Sequence, residues 1–280
     1  MEIKRVVLVL ADISGYTHFM KLHTTSLLHA EVIITDLLEA VLDRTEYPLT
    51  LSKLEGDAAF LYRTLDADGD ARAAVQDILR QVTAFMDAFK ARERELIACN
   101  ICTCEACLQT SQLKLKVFLH VGQAAIKKIR QFEELASEDV ILIHRLMKNS
   151  IPAKEYIVMT DAFYHLSGGL PEQTPEARTE ECEGIGPVPV RVYYPTGVAS
   201  PLPPQPSPFS PKSAEYVALS KRFDEHMARR IGDREPQPNF AHLPKPRLTP
   251  FNWWTVVWEN VAWMVTDFPK LWLDHRSRKR

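Results

Sequence analysis

The stretch "VVLVLADISGYTHF", Val6 to Phe19, reads as a strand that stops on a charge. Six consecutive apolar residues, Val6 to Ala11, form a run of the length and continuity of a buried strand. The run ends on Asp12, and after Ile13 the chain turns through Ser14-Gly15. A carboxylate at the end of a buried strand has two readings. It bonds its own backbone as a turn residue, or it is aimed at a ligand.

The pattern alternates on either side of this strand. "TTSLLHAEVIITDLLEAVLDR" (24–44) places Leu27, Leu28, Val32, Ile33, Leu37, Leu38, Val41 and Leu42 at spacings of three and four, the pattern of an amphipathic helix. "LTLSKLEGDAAFLYR" (49–63) reads as two short strands reversing at Glu55-Gly56-Asp57. A long helix is expected over about 70–95 and a half-buried strand over 113–125. A further helix is expected over 138–149, with strands over 156–159 and 188–195. Strands and helices interleaved in this way imply a sheet with helices packed on it.

The chain has 280 residues, 46% hydrophobic and 25% charged, with a formal charge of −2. This is globular composition, and it lacks the strongly basic balance of a nucleic-acid binder. The apolar run reaches Asp12 too soon for a signal-peptide core, and no uncharged apolar window approaches about 18 residues. The expected compartment is the cytoplasm, where cysteines serve more often as metal ligands or redox thiols than as disulfides. Eleven of the nineteen prolines fall between Ala199 and Pro250. The expected division is therefore a domain over 1–198, a Pro-rich linker over 199–250 interrupted by a helical patch at 213–231, and a Trp-rich amphipathic helix over 251–280.

Asp12 follows the first strand and Asp57 sits in the hairpin. If those strands are neighbours, both carboxylates converge on one edge of the sheet. Two carboxylates with a backbone carbonyl make a hard oxygen site suited to Mg²⁺ or Mn²⁺, and two such ions suit phosphoryl-type chemistry. Simple turn roles for both remain open on spacing alone.

Four segments in order, "ADISGYTHF", "KLEGDAAFLY", "LKVFLHVGQAA" and "EDVILIHRLMKNS", resemble the class III adenylate and guanylate cyclase catalytic domain, over about residues 4–195. The resemblance implies an α+β, ferredoxin-like βαββαβ sandwich that acts as a homodimer on ATP or another nucleotide. It implies that Asp12 and Asp57 hold two Mg²⁺ or Mn²⁺ ions, with the carbonyl of Ile13 as an extra ligand. Lys53 matches the base-selecting position, where lysine suits a ring-nitrogen acceptor of adenine. Glu134 falls near the second base-reading position, and Arg145 matches the arginine that steadies charge on the transferred phosphoryl group. Two positions depart from the family. Ile141 stands where the family has Asn, with Lys148 and Asn149 as nearby polar replacements, and Glu183 stands where it has a phosphate-binding Lys.

"CNICTCEAC" holds Cys99, Cys102, Cys104 and Cys107, and paired C-x₂-C spacing is that of a thiolate Zn²⁺ site. Only Thr103 separates the pairs, so a site shared across a dimer, a redox dithiol and plain reduced thiols stay open. Cys182 reads as a small buried hydrophobe. In the tail, Trp254, Trp258, Val261, Val265, Phe268 and Trp272 lie on one helical stripe before a basic end. That stripe suits a peripheral membrane contact or packing on the domain or its dimer mate. The expected function is conversion of ATP to cyclic AMP and pyrophosphate. The competing expectations are a degenerate homologue that binds nucleotide or a partner without turnover, and a metal or redox sensor built on the cysteine loop.

Overall fold

Strand β1 (Glu2–Ser14) runs through the middle of an eight-stranded sheet, and alternation divides its side chains between two cores. Val7, Val9, Ala11 and Ile13 enter one core, and Val6, Leu8 and Leu10 enter the other. A run apolar at every position is what a strand covered on both faces requires. The computed structural model describes residues 2–21, 27–66, 68–98, 105–130 and 132–195, together with 258, 261, 262 and 265.

After β1 come the short helix α1 (Tyr16–Lys21) and α2 (Leu27–Leu42), then the hairpin of β2 (Thr50–Glu55) and β3 (Ala58–Thr64). The long helix α3 (Ala71–Ala98) and the short α4 (Glu105–Gln109) lead to β4 (Lys114–Ile129) and β5 (Phe132–Ala136). Helix α5 (Glu138–Leu146), β6 (Tyr156–Thr160), α6 (Asp161–Ser167), β7 (Glu176–Cys182) and β8 (Gly186–Tyr193) complete the order. The sheet runs β2-β3-β1-β4-β6-β8-β7, with β5 paired to β4 alone. Among the described strands only β4 and β6 pair in parallel, joined by the crossover through α5. The architecture is a mixed α+β sandwich.

Helices α2, α3 and α6 cover one face, where Leu37, Val82, Phe85, Phe89 and Phe163 are fully buried. Helix α5 covers the other with Leu142, Ile143 and Leu146, over Leu10, Phe60 and Phe118. Ser137 caps α5, its side chain accepting from the Val140 N–H at 3.1 Å, and Glu138 and Asp139 in the first turn favour the helix N-terminus. The helix stops at Leu146, three residues short of the expected end, and Asn149 Nδ2 donates to the Leu146 carbonyl at 2.8 Å.

Strand β4 corrects the expectation of a half-buried strand. Its Lys116-Phe118-His120 side is covered too, since α5 packs on it, and Phe118 and His120 are buried. Strands β5 and β7 and helices α1, α4 and α6 have no counterpart in the sequence pattern; β7 is charged along its length (EARTEEC), with only Glu180 and Cys182 buried.

The chain divides into two compact units, Met1–Leu243 and Pro244–Arg280. In the second unit Trp258, Val261 and Val265 are helical and exposed. The expected linker and its helix at 213–231, and the rest of the aromatic tail, lie outside the described residues. Among the described residues no helix is long and apolar enough to cross a membrane.

Candidate functional site

The period of two that buries β1 also aims Asp12. Even-numbered residues of this segment face α5, so Asp12 shares the face of Leu8 and Leu10 at the end of the strand. In the ladder Asp12 lies opposite Ala58 on β3 and opposite Lys116 on β4. Residues opposite one another across a sheet point to the same side. Glu55, Ala58, Asp12, Lys116 and Tyr156 therefore form one row across four junctions of the sheet. Lys53, Phe60, Leu10, Phe118 and Val158 form the next row on that face.

Asp57 reaches the row from the hairpin turn. Gly56 takes φ +65°, the left-handed conformation that two-residue hairpin turns need at their first central position. The turn is tied to β1 by the Ile13 N–H, which donates to the Asp57 carbonyl at 3.2 Å. The Asp57 carboxyl is pushed up to about 6. Burial is the main cause, and the adjacent Asp12 carboxylate adds to it by charge and by a hydrogen bond, against the opposing charge of Lys116. Lys116 Nζ stands 2.7 Å from Asp12 Oδ2, with only 16% and 13% of the two side chains exposed.

Two carboxylates in hydrogen-bonding reach, one of them strained as an anion, are hard oxygen donors that a divalent cation relieves. The donor set fits Mg²⁺ or Mn²⁺ by its chemistry. Among the described residues no group of three or more His, Cys, Asp or Glu is placed to hold a metal. The side chains offer two carboxylates, and Ile13, whose own side chain is buried in the opposite core, adjoins them through its backbone.

Lys53 follows an irregularity in β2 between Leu51 and Lys53. It lies on the Asp12 face, two strands (about 10 Å) across and one row (about 7 Å) along from Asp12. Its ammonium is 2.6 Å from Glu55 Oε1, and Glu55 meets His144 Nε2 at 3.2 Å. Burial pulls the Glu55 carboxyl upward, but Lys53 and His144 together outweigh it and hold it below its ordinary value. His144 packs edge-on against Phe60, with ring centroids 4.8 Å apart. Lys53 is thereby tethered to α5.

Arg145 and Glu183, which the sequence presents as a matched position and a departure, meet in the fold. Arg145 Nη1 lies 2.6 Å from Glu183 Oε2, on the exposed turn between β7 and β8. Ile141 stands one helical turn before Arg145 and is 54% exposed. Asn149, one of the two nearby polar residues, lies just past the end of α5. Its side chain is engaged by Leu146, Ile151 and Tyr156. Glu134 lies on β5 opposite Lys127, while the adjacent Glu133 accepts from the Tyr62 hydroxyl. The structure joins Asp12, Asp57 and Lys116, and separately Arg145 and Glu183. It leaves Lys53 on β2 and Glu134 on β5.

Sequence reasoning passed over Lys116, whose signal was its place on the same side of β4 as Phe118. It also left His120 and Gly122, in the segment "LKVFLHVGQAA", without a role. His120 is buried, with Nδ1 2.8 Å from Thr160 Oγ1 and Nε2 2.8 Å from Asp139 Oδ1. Asp139 Oδ2 accepts the Gln123 N–H at 2.6 Å. A Cβ on Gly122 would lie 2.2 Å from Asp139 Cγ, so glycine is what admits this clamp between β4 and α5. Cys99, Cys102 and Cys104 lie outside the described residues. Cys107 is half-buried on α4, where it packs on the α2–α3 core. Cys182 is buried, as expected.

Fold and site together define a mixed α+β protein with a paired-carboxylate edge on one face of its sheet. The chain is 34% identical over 153 residues to an uncharacterized protein of Mycobacterium tuberculosis (Rv2561/Rv2562), covering 55% of this chain and 69% of that one. It belongs to the family of that mycobacterial protein. A family model described as a protein of unknown function (DUF2652) matches residues 34–156, the span from α2 to the start of β6. Solved structures similar to the chain include the adenylyl cyclase CyaB from P. aeruginosa, 18% identical, with TM-score 0.47 over 69% of this chain and 96% of that one. The guanylate cyclase domain of RhGC from Catenaria anguillulae in complex with GTP is 13% identical, with TM-score 0.46 over 69% of this chain and 97% of that one.

Proposed function

We propose that the chain is a class III-type nucleotidyl cyclase that converts ATP to cyclic AMP and pyrophosphate as a homodimer. The observation that carries this reading is the convergence of the Asp12 and Asp57 carboxyls at one end of the α5 face. The ordered motifs of the sequence supply the reaction class. The strand order β2-β3-β1-β4, with α2 and α3 as crossovers, supports reading this part of residues 1–198 as a ferredoxin-like βαββαβ unit.

In this reading Asp12 and Asp57 hold Mg²⁺ or Mn²⁺, which when bound would activate the ribose 3′-hydroxyl and neutralise the triphosphate. Lys53 donates to adenine from the same sheet face, released from Glu55 as the base arrives, and Glu134 is the second base-reading group. Arg145 steadies the charge on the phosphoryl group, which requires its guanidinium to leave Glu183. The pair is an exposed one, with 38% and 80% of the two side chains accessible, and opening it costs about 1 kcal/mol or less.

The Arg145–Glu183 contact, together with Ile141, is the observation behind a second reading. There the site retains nucleotide without turning it over, because losing one positioned donor commonly lowers rates by roughly 10²–10³. Purified full-length protein incubated with Mn²⁺ and ATP, with cyclic AMP measured by chromatography, decides between them. Product from the wild type and none from Asp57→Ala is expected. Metal-dependent ATP binding without product supports the second reading and ends the first.

A further inference from the structure

The contact between Lys116 and Asp12 is built into the backbone. The two residues are direct partners in the β1–β4 ladder, so their side chains leave the sheet together on one face. Leu115 and Val117, on either side of Lys116, are fully buried in the opposite core and pin the strand. On its far side Lys116 faces Tyr156, whose hydroxyl is engaged by Asn149. The ammonium is thus confined to the carboxylate pair, 2.7 Å from Asp12 Oδ2, and its charge also favours ionisation of Asp57.

A cation in this position supplies part of what a metal ion supplies. It neutralises one of the two carboxylates and engages one of its oxygens. A second cation entering the pair meets a like charge in surroundings where such repulsion is screened far less than in water. The geometry points to Lys116 as the resident cation of the Asp12–Asp57 pair, which a divalent metal binds only by displacing the Lys116 ammonium from Asp12. This inference rests on the proposed metal-binding role of the two aspartates and adds what sets their affinity.

The test is Mn²⁺ binding without nucleotide, read by the loss of the free aqua-ion signal in electron paramagnetic resonance. The full-length wild type, Lys116→Met and Lys116→Arg are titrated side by side, with folding confirmed by circular dichroism. Lys116→Gln is measured by the same criterion if the Met variant does not fold. The neutral variants are expected to bind Mn²⁺ at least about tenfold more tightly than the wild type, and the Arg variant to stay within about threefold of it. Equal or weaker binding by the neutral variants, with Mn²⁺ still bound by the wild type, overturns the role of Lys116 and leaves the metal site standing. No Mn²⁺ bound by any of the proteins overturns both.

Discussion

Asp57→Asn removes a negative charge that the fold holds at a cost, while leaving a side chain of the same shape. The Asp57 carboxyl is held at about 6 in the folded chain, against an ordinary 3.8, because it is half-buried beside the Asp12 carboxylate. A raised carboxyl means that the folded state binds its proton more tightly than the unfolded state. At a pH below about 3.8 both states are protonated and Asp57 costs nothing. As pH rises from about 3.8 to about 6 the unfolded chain ionises first and stability falls; above about 6 the full penalty is present. That difference corresponds to roughly 3 kcal/mol at 1.36 kcal/mol for each tenfold, and solvent screening at a partly exposed turn reduces it to about 1–2 kcal/mol. Urea denaturation in EDTA should therefore find wild type and Asp57→Asn equally stable near pH 3. Near pH 7.5 the variant should be more stable by about 1–2 kcal/mol. Adding about 1 mM Mn²⁺ should reverse the order, since a ligand bound only by the folded wild type stabilises it by mass action. A variant no more stable than the wild type at pH 7.5 in EDTA refutes the reasoning about the pair. A wild type that Mn²⁺ fails to stabilise refutes its reading as a metal site.

Gly122→Ala would force a methyl against Asp139 at 2.2 Å, disturbing its bonds to His120 and the Gln123 N–H, and should cost about 2–4 kcal/mol. An unchanged thermal midpoint would show that the clamp yields freely. Burial lowers the pKa of His120 despite Asp139, so its contribution to stability should be complete above about pH 6.5 and be lost as pH falls through its folded value; Asp139→Asn removes the group that opposes the burial effect, and a variant that loses no more stability than the wild type between pH 7.5 and pH 5 argues against this. Glu183→Gln frees Arg145 from an exposed pair worth about 0.5–1 kcal/mol, and a fluorescent ATP analogue should bind about two- to fivefold more tightly. Weaker binding would mean that Glu183 itself helps hold the nucleotide. If the cysteine loop binds zinc, elemental analysis should find about one ion per chain, absent after Cys102 and Cys104 are both replaced by Ser; a metal-free wild type rules it out.

Most of the described elements were legible as patterns. The period of three and four in α2, the Gly-Asp turn of the β2–β3 hairpin and the apolar run of β1 are local signals, set by backbone geometry and by which faces meet the core. Strand β7 was not legible, because a strand of mostly exposed charged residues shows no apolar alternation. The covered side of β4 was hidden for a related reason. Lys116 beside Phe118 looks like a solvated face until α5, which precedes β6 as its crossover, is laid across it.

The amino-acid sequence by itself determined that the buried run of β1 meets a charge at Asp12, two residues before the strand ends at Ser14, because an apolar run and the charge that interrupts it are properties of neighbours in the chain. It also determined that Gly56 turns the hairpin, since a left-handed residue there favours glycine over any side chain. What carries the charge of Asp12 was decided only by the tertiary structure. Lys116 is 104 positions away in the chain and reaches Asp12 through strand register, a pairing chosen by the burial of both cores. The same holds for Arg145 and Glu183, 38 positions apart, which the packing of α5 beside the β7–β8 turn brings together.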